Sequence, residues 1–384
     1  MRLFLTALMP VALLAACTQP PPVNGEPPTL SVPVNEVIAL NTETVTDALV
    51  RPWGLAFLPD GDMIVTQRTG GVKRVNPSGT ITDIAGAPVP YTKGQAGLFD
   101  VILSPDFASD KTVFISYAKG NDAANNTAVF KARLSGNTLS GGEVIFEATA
   151  KDTAQHYGGR MAFLPDGTLL LTTGDGFTYR EAAQDPASHL GKILRLTTSG
   201  KAAGGNPFAG DPNAAHEVYS AGHRNVQGLA IDPATGIIWS HEHGPKGGDE
   251  LNRIEAGANY GWPIATYGVD YSGAQISPYN RYGGTKDAIH NWTPSIAPSG
   301  MTVYRGDLFK GMDGDILLGA LKFKQIHRLH MKDGRVAKET LWLSKRGERM
   351  RDVQTGPDGA IYVLTDSGKL LRVTPAGIIK GPAY

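Results

Sequence analysis

The sequence predicts an all-β protein, a six-bladed β-propeller built from four-stranded antiparallel blades. Its 47 glycines and 26 prolines are spread through all 384 residues. This spread favours many short strands joined by turns over long helices. An apolar strand, a tight turn and a second apolar strand recur six times, at intervals of about 45 to 70 residues, the length of one blade with variable loops. A β-sandwich explains the strands equally well, but not six similar turns in one context.

The repeated unit is a β-hairpin, because proline presets the first turn angle and glycine accepts a positive one. In the copy at Leu55–Val65, a Pro-Asp-Gly turn lies between two apolar runs. The six copies begin at Leu55, Val101, Met161, Leu229, Met301 and Val353. Several copies are followed by a further strand, such as Val72–Val75, which predicts blades of more than two strands.

The first residues predict an export signal rather than part of the fold. A positive start precedes an apolar run, Leu3–Ala16, which is too short to span a bilayer. The run ends in Leu-Ala-Ala-Cys, which resembles the lipobox of bacterial lipoproteins, and its Cys17 is the only cysteine. An ordinary secretory signal with a chance cysteine is the alternative. Neither allows a disulfide in the mature chain.

The chain is therefore divided into three segments. Residues 1–17 form the lipoprotein-type signal and lipobox cysteine, residues 18–47 a proline-rich tether and lead-in, and residues 48–384 the propeller. Thr18 after the cysteine favours sorting to the outer membrane, so we expect an exported, periplasmic protein anchored by lipid at Cys17. The 36 basic and 36 acidic side chains balance, which argues against nucleic acid as a partner.

Residues 241–252 hold the densest group of candidate ligands, with two histidines, three carboxylates, three glycines and a proline. Carboxylates and free carbonyls are the ligands that a hard cation such as Ca²⁺ prefers. Glycine and proline bend the backbone so that carbonyls can face one point. A charged, glycine-rich surface loop is the alternative.

Polar residues also precede the first strands of several hairpins, at Gln95, at His156 and at Arg224-Asn225. In a propeller these positions converge at one mouth of the central channel. His156 could serve as a general base, because a neutral imidazole suits that role near physiological pH. A guanidinium can stack on a flat ring and bond its oxygens. Taken singly, each of these residues could equally be structural.

Arg349 and Arg351 precede the last hairpin and point to one face if they lie in a strand. Two adjacent arginines repel each other unless an anion lies between them, and a polycarboxylate or a phosphate would serve. Neutralisation by Glu348 and Asp352 is the alternative. Lys322 could add a third positive charge, or be one lysine of an amphipathic strand.

Seven short motifs carry a family resemblance: WGLAF at 53–57, GQAGL at 94–98, GHRN at 222–225, EHGP at 242–245, DELN at 249–252, NYGWP at 259–263 and RMRDV at 349–353. In this order they resemble the soluble PQQ-dependent aldose sugar dehydrogenases, relatives of soluble quinoprotein glucose dehydrogenase. The resemblance covers about Arg51 to the C-terminus. It implies a propeller that holds pyrroloquinoline quinone (PQQ) and calcium and oxidises aldoses to lactones, passing electrons to an external quinone or redox protein.

The resemblance also implies roles for individual residues. His156 would take the proton from the anomeric hydroxyl while hydride passes to the quinone, which Arg224 and Asn225 hold. The implied cofactor contacts are Gln95, Arg224, Asn225, Tyr271, Ser295, Lys322, Arg349 and Arg351. The carbonyls of Gly244 and Pro245 would bind the cofactor's calcium, and Glu250 and Tyr260, with Asp249, a second, structural calcium. His241 and His243 are then not metal ligands.

The sequence departs from the family pattern in two places. Gln155 stands where the glucose dehydrogenase branch has an acid beside the base, and the loops look shorter, which would expose the cofactor and broaden sugar selectivity. Two other functions stay open. A metal-dependent propeller hydrolase or lactonase could use His241, His243 and Asp249, but leaves the arginine pair without a purpose. A non-catalytic sugar- or protein-binding propeller predicts a damaged base or cationic rim, and both are intact.

Overall fold

Six four-stranded antiparallel sheets make up the computed structural model, which describes residues 36–380. The first blade contains β2 (Pro52–Phe57), β3 (Met63–Gln67), β4 (Val72–Val75) and β5 (Ile81–Ile84). The second contains β6 (Leu98–Leu103), β7 (Thr112–Gly120), β8 (Asn125–Ser135) and β9 (Thr138–Glu147), with the short helix α1 (Phe107–Asp110) between β6 and β7. The third contains β10 (Met161–Phe163), β11 (Leu169–Thr172), β12 (Ile193–Leu196) and β13 (Val218–Ser220).

The second half of the chain repeats this arrangement. The fourth blade contains β14 (Val226–Ile231), β15 (Ile238–Glu242), β16 (Asp249–Ile254) and β17 (His290–Trp292). The fifth contains β18 (Pro298–Val303), β19 (Ile316–Ala320), β20 (Gln325–Lys332) and β21 (Arg335–Trp342). The sixth contains β22 (Met350–Thr355), β23 (Ile361–Thr365) and β24 (Leu370–Lys380), joined by β1 (Glu36–Thr46). Two 3₁₀ turns, Arg180–Ala183 and Ser344–Arg346, complete the structure.

The predicted fold class and its six hairpins are confirmed. Each sequence repeat forms the first two strands of one blade, from β2–β3 to β22–β23. The blades pack through alternate apolar side chains, which meet those of the neighbouring sheet; Leu169 and Leu171 of β11, for example, are buried against Phe114 of the preceding blade. Within residues 36–380, no helix is long and apolar enough to cross a membrane.

One predicted boundary is wrong, because the propeller begins before residue 48. Residues 36–46, assigned above to the lead-in, form β1 and pair antiparallel with β24 from Glu36–Lys380 to Thr46–Leu370. Ile38 and Leu40 pack against the core of the last blade. The pairing of β1 with β24 closes the ring and covers an edge that would otherwise expose free N–H and C=O groups. The signal segment, Cys17 and the tether up to residue 35 lie outside the described residues.

Candidate active site

One mouth of the central channel holds a polar cavity of about 200 Å³, lined by residues from all six blades. Four predicted residues lie in its wall, Gln95, Asn225, Arg349 and Arg351. They meet there because each stands at the entrance to the innermost strand of its blade, and these entrances surround the channel. The expected convergence of polar strand entrances is thus observed for these four residues.

A buried ionic cluster that the sequence analysis missed lies beside this mouth cavity and contacts its residues Trp53 and Arg351. Nη1 of Arg160 lies 3.0 Å from Oδ1 of Asp352 and 3.5 Å from Oδ1 of Asp100. The guanidinium also lies 4.0 Å from the ring centroid of Trp53, and its Nη2 donates to the carbonyl of Arg351. Asp352 therefore pairs with Arg160 and does not neutralise the arginine pair.

The anion between the two arginines is Asp366. Nε of Arg349 donates to its Oδ2 at 2.7 Å, and Nε of Arg351 donates to its Oδ1 at 2.8 Å. The two arginine charges and their hydrogen bonds overcome the effect of burial and lower the pKa of Asp366. Glu348 pairs instead with Lys369. One carboxylate faces two guanidinium groups, so this side of the cavity keeps a positive excess.

Arg68 is a further cation on the same wall. Its pKa is lowered, first by burial and then by the nearby charges of Arg351 and Arg51. These neighbouring positive charges repel one another, and a bound anion relieves that repulsion. The arginines therefore favour binding of an anion. The wall around Arg68, Arg349 and Arg351 is therefore suited to a ligand that carries carboxylates.

His156 lies beside the mouth cavity in a constrained conformation. Its φ is +48°, a value uncommon for residues other than glycine, and its amide donates to Oε1 of Gln95 at 2.9 Å. Nδ1 of the buried ring lies 2.6 Å from Oδ1 of Asp175. Since a carboxylate can only accept here, Nδ1 carries the hydrogen, which leaves Nε2 free to receive a proton.

Asp175 supplies the acid that position 155 lacks. Its Oδ2 accepts a hydrogen bond from Nε1 of Trp262 at 2.8 Å, and its Oδ1 accepts one from the amide of Phe177 at 2.8 Å. Burial acts to raise the pKa of Asp175, but the interaction with His156, followed by the charge of Arg224 and the amide of Phe177, outweighs burial and lowers it. The substitution at Gln155 thus leaves the histidine with an ionised partner, provided by a different segment of the chain.

The pKa of His156 is lowered from its ordinary value of 6.5. Burial is the largest cause, and the charges of Arg224 and Lys151 act in the same direction, while Asp175 acts against them. The imidazole is therefore neutral at neutral pH and sits next to a carboxylate that stabilises it once protonated. This combination is what a general base requires.

Arg224 accepts the amide of Asp175 with its carbonyl at 2.8 Å and binds the glycine-rich loop at 243–248 with its side chain. Its Nη1 donates to the carbonyl of His243 at 3.1 Å and to that of Gly244 at 2.7 Å. The guanidinium lies 5.3 Å from the ring centroid of Trp262 and 5.9 Å from that of Tyr271. The Gly244 carbonyl that the resemblance implies as a calcium ligand thus faces a cation already. No side chain fits at Gly244, because a Cβ there would lie 2.3 Å from the Gly247 carbonyl oxygen.

Asp249 acts within the protein as a hydrogen-bond acceptor. Its carboxylate accepts from the amides of Gly244, Ile296 and Ala297 and from Oγ of Ser295. Burial raises its pKa to about 6, although these bonds oppose the rise. Asp249 and Glu250 are neighbours on β16, so their side chains point to opposite faces and do not meet. Both Asp249 and Ser295 therefore hold together the loops on either side of Gly244.

Glu250 instead faces Glu242 across a cavity of about 10 Å³, enough for one water-sized particle. Removal from solvent and the charge of Glu242 raise the pKa of Glu250 to about 8. Nδ2 of Asn252 donates to both carboxylates at 3.2 Å, while its buried Oδ1 has no hydrogen-bond partner in the described chain. Tyr260 also lines this small cavity.

The remaining predicted residues lie at the edge of the site. The hydroxyl of Tyr260 donates to the carbonyl of Arg253 at 2.6 Å, so only its backbone carbonyl is left for a cation. Lys322 is exposed in the turn after β19, not in a strand. Tyr271 is 60% exposed.

His241 and His243 both contact the protein through their rings, although His243 also lines the mouth cavity. Nε2 of His243 bonds the carbonyl of Pro298 at 2.7 Å, and His241 is fully buried beside Gly300. Burial lowers the pKa of both to about 3. Among the residues that the structure describes, no group of three or more His, Cys, Asp or Glu side chains is arranged to bind a metal. Because both imidazoles contact backbone carbonyls of the protein, His241 and His243 do not form the metal site that the hydrolase alternative requires.

Besides Arg68 and the Arg160 cluster, sequence reasoning missed three acidic residues of the site, Asp175, Asp366 and Glu242. Asp175 lies in Gly-Asp-Gly and Asp366 in Thr-Asp-Ser-Gly, sequences that read as ordinary turns. Glu242 reads only as one acid of the glycine-rich stretch at 241–252. Each acquires its role from a partner on a different strand or loop, and the local turn pattern does not carry that information.

Comparisons with known proteins agree with this geometry. The family model described as glucose/sorbosone dehydrogenase matches residues 49–372. Aldose sugar dehydrogenase YliI of Escherichia coli K12 is 40% identical, over 88% of this chain and 93% of its own. Quinoprotein glucose dehydrogenase B of Acinetobacter calcoaceticus is 28% identical, over 85% of each chain.

A solved structure extends the comparison. The PQQ-bound form of an aldose sugar dehydrogenase from Streptomyces coelicolor superposes with a TM-score of 0.73 at 30% identity. The match covers 92% of this chain and 100% of that one. The protein therefore belongs to the glucose/sorbosone dehydrogenase family of six-bladed propellers.

Proposed function

We propose that this protein is a PQQ- and calcium-dependent aldose sugar dehydrogenase that oxidises the anomeric carbon of aldoses to lactones. The observation that carries the proposal is the His156–Asp175 pair, a buried neutral base with an ionised partner, set beside a cavity with a cationic wall. Electrons leave to an external acceptor, a quinone or a redox protein.

The residues of the mouth cavity fit the proposed cofactor. PQQ is a flat ortho-quinone with three carboxylates, and Arg68, Arg349 and Arg351 supply three cations on one wall. Gln95 and Asn225 add amide groups at the same mouth. Lys322 and Ser295 would reach the cofactor from neighbouring turns, since Leu321 and Ala297 line the cavity.

When bound, PQQ supplies a hydride acceptor and its calcium supplies a Lewis acid. The chain supplies the proton transfer: Nε2 of His156 takes the proton of the anomeric hydroxyl, and the Nδ1–H bond to Asp175 stabilises the resulting imidazolium. Arg224, with Asn225, orients the quinone. The burial of His156 keeps competing water away from the base.

Two cation positions belong to the proposal. The carbonyls of Gly244 and Pro245 would hold the cofactor's calcium, with Arg224 moving from the Gly244 carbonyl to the quinone. Glu250 and the carbonyl of Tyr260 would hold a second, structural calcium, and the facing carboxylate of Glu242 and the unpartnered Oδ1 of Asn252 support a cation there.

Export and anchoring complete the proposal. The mature protein would be periplasmic, tied to the outer membrane by lipid on Cys17. Palmitate labelling of wild type and Cys17→Ser in a bacterial host tests this point, and equal labelling of the two proteins would contradict it.

Reconstitution tests the proposed activity. Metal-free protein is mixed with PQQ and calcium, then given an aldose and an electron-accepting dye, and we expect dye reduction that requires both additions. The variant His156→Ala should bind PQQ normally, measured by its absorbance, yet lose turnover. Absence of dye reduction by the reconstituted wild type across a panel of aldoses would reject the proposal.

A further inference from the structure

Phe177 has an unusual backbone conformation for an aromatic residue. Its φ is +72°, and the amide of Thr178 donates to the carbonyl of Gly176 at 2.9 Å. Phe177 is therefore the central residue of a γ-turn of the positive-φ kind, which is rare and strained. Strain of this sort persists where the surroundings impose it, and it concentrates at functional sites.

The surroundings of this turn hold it from two sides. Oδ1 of Asp175 accepts the amide of Phe177, and Oγ1 of Thr153 donates to the Gly176 carbonyl at 2.6 Å. The buried stem of Lys151 packs under the turn, so closely that a Cβ on Gly176 would lie 2.7 Å from its Cδ. The carboxylate that orients the catalytic histidine thus also fixes the position of the phenylalanine.

The ring that this turn presents is left in solvent next to the base. Phe177 is 40% exposed although it is apolar, and its centroid lies 5.1 Å from that of His156, edge to face. Tyr271 comes from a separate loop, stacks on Phe177 at 6.3 Å and 28°, and is 60% exposed. Two exposed aromatic rings, supplied by different blades, therefore form one wall beside the proposed proton acceptor.

We infer that Phe177 and Tyr271 form a sugar-binding wall, with Phe177 as a specificity-determining residue for the aldose. An aldopyranose has C–H groups on the faces of its ring, and aromatic side chains pack against such apolar faces while hydroxyls stay with water or polar groups. The wall holds the ring so that its anomeric hydroxyl reaches Nε2 of His156. This inference rests on the proposed function, and it assigns Tyr271 to the sugar rather than to the cofactor.

The test separates sugar binding from cofactor binding and from chemistry. Phe177→Gly removes the ring and suits the positive φ, whereas Phe177→Tyr keeps the ring. In the loaded enzyme we expect Phe177→Gly to raise KM for glucose about five- to tenfold, with kcat changed less than KM. Phe177→Tyr should retain wild-type KM, and Tyr271→Ala should raise KM in the same direction. PQQ affinity, measured by absorbance titration, should be unchanged in all three variants.

Leu341→Ala is the matched control, since Leu341 is a 53% exposed apolar residue on an outer strand. A second readout needs no turnover: saturation-transfer NMR of glucose with the reduced, loaded protein should weaken in Phe177→Gly and persist in Phe177→Tyr. Unchanged KM in Phe177→Gly, or loss of PQQ binding in Tyr271→Ala, would reject the proposed sugar-binding wall but not the proposed dehydrogenase activity. A wild type that oxidises no aldose would instead reject the proposed function on which the wall depends.

Discussion

Asp175→Asn is the substitution that most directly tests the proposed base, because it keeps the shape of the side chain and removes its charge. Asp175 accepts hydrogen bonds from Nδ1 of His156, from the amide of Phe177 and from Nε1 of Trp262. An asparagine has one oxygen, so it cannot accept on both sides. In one orientation, the NH₂ group of the asparagine faces the indole N–H of Trp262, and that hydrogen bond is lost. In the other, the NH₂ group faces Nδ1 of His156, so the imidazole proton moves to Nε2.

The expected fall in kcat follows from the loss of the hydrogen bond between His156 and the charged Asp175. A hydrogen bond to a charged group is worth about 1.5–3 kcal/mol, which is about 10- to 150-fold in rate if it forms fully only when His156 is protonated in the transition state. The wrong tautomer removes the lone pair on Nε2 and adds to this loss. We therefore expect kcat to fall by about 100- to 10,000-fold, the range usual for a general base.

The direction in which Asp175→Asn shifts the pH profile of kcat/KM follows from the pKa of His156. Burial lowers the pKa of His156 below 6.5, whereas the hydrogen bond and charge of Asp175 raise it. Removing that charge lowers the pKa further. The acidic limb of kcat/KM, where the base becomes protonated, should therefore move to lower pH in Asp175→Asn while the plateau falls.

Dye reduction by the PQQ- and calcium-loaded enzyme, followed from pH 5 to 9, measures both effects. Asp83→Asn provides the matched control, because it makes the same charge change at an exposed position of β5. PQQ titration shows whether the variant still binds cofactor. If Asp175→Asn keeps more than about a third of the wild-type kcat, or if the limb moves to higher pH, the assigned base is wrong.

Three further predictions concern the cations, the cofactor and the ring closure. Glu250→Gln should abolish the rise in Tm that calcium causes in the wild type. The pKa of Glu250 is about 8 in the folded protein and 4.5 in the unfolded chain. The calcium-free wild type should therefore lose stability as the pH rises between these values, and the variant should not. Arg351→Ala should weaken PQQ binding about tenfold or more in an absorbance titration, and unchanged affinity would contradict the cationic wall. Removal of residues 36–47 should lower Tm and promote association through the uncovered edge of β24, and an unchanged, monomeric product would refute the closure.

Local patterns in the sequence were sufficient for the inner half of each blade. The hairpin at Leu55–Val65 could be recognised because its turn residues and its alternating apolar residues act over a few positions. The strand at 36–46 was missed for the opposite reason. Its pairing partner lies more than 300 residues away in β24, and a strand beside a proline-rich segment carries no local sign of a distant partner.

The candidate site shows the same difference between what local sequence patterns predict and what tertiary contacts decide. The sequence by itself determined the fold class and the residue types at the channel mouth, because strand entrances in a propeller must converge. Only the tertiary structure decided which charges meet: Asp366 between Arg349 and Arg351, Asp175 behind His156, and Glu242 opposite Glu250. Such pairs depend on how closely separate strands and loops approach one another in space, and the order of residues along one segment does not encode that approach.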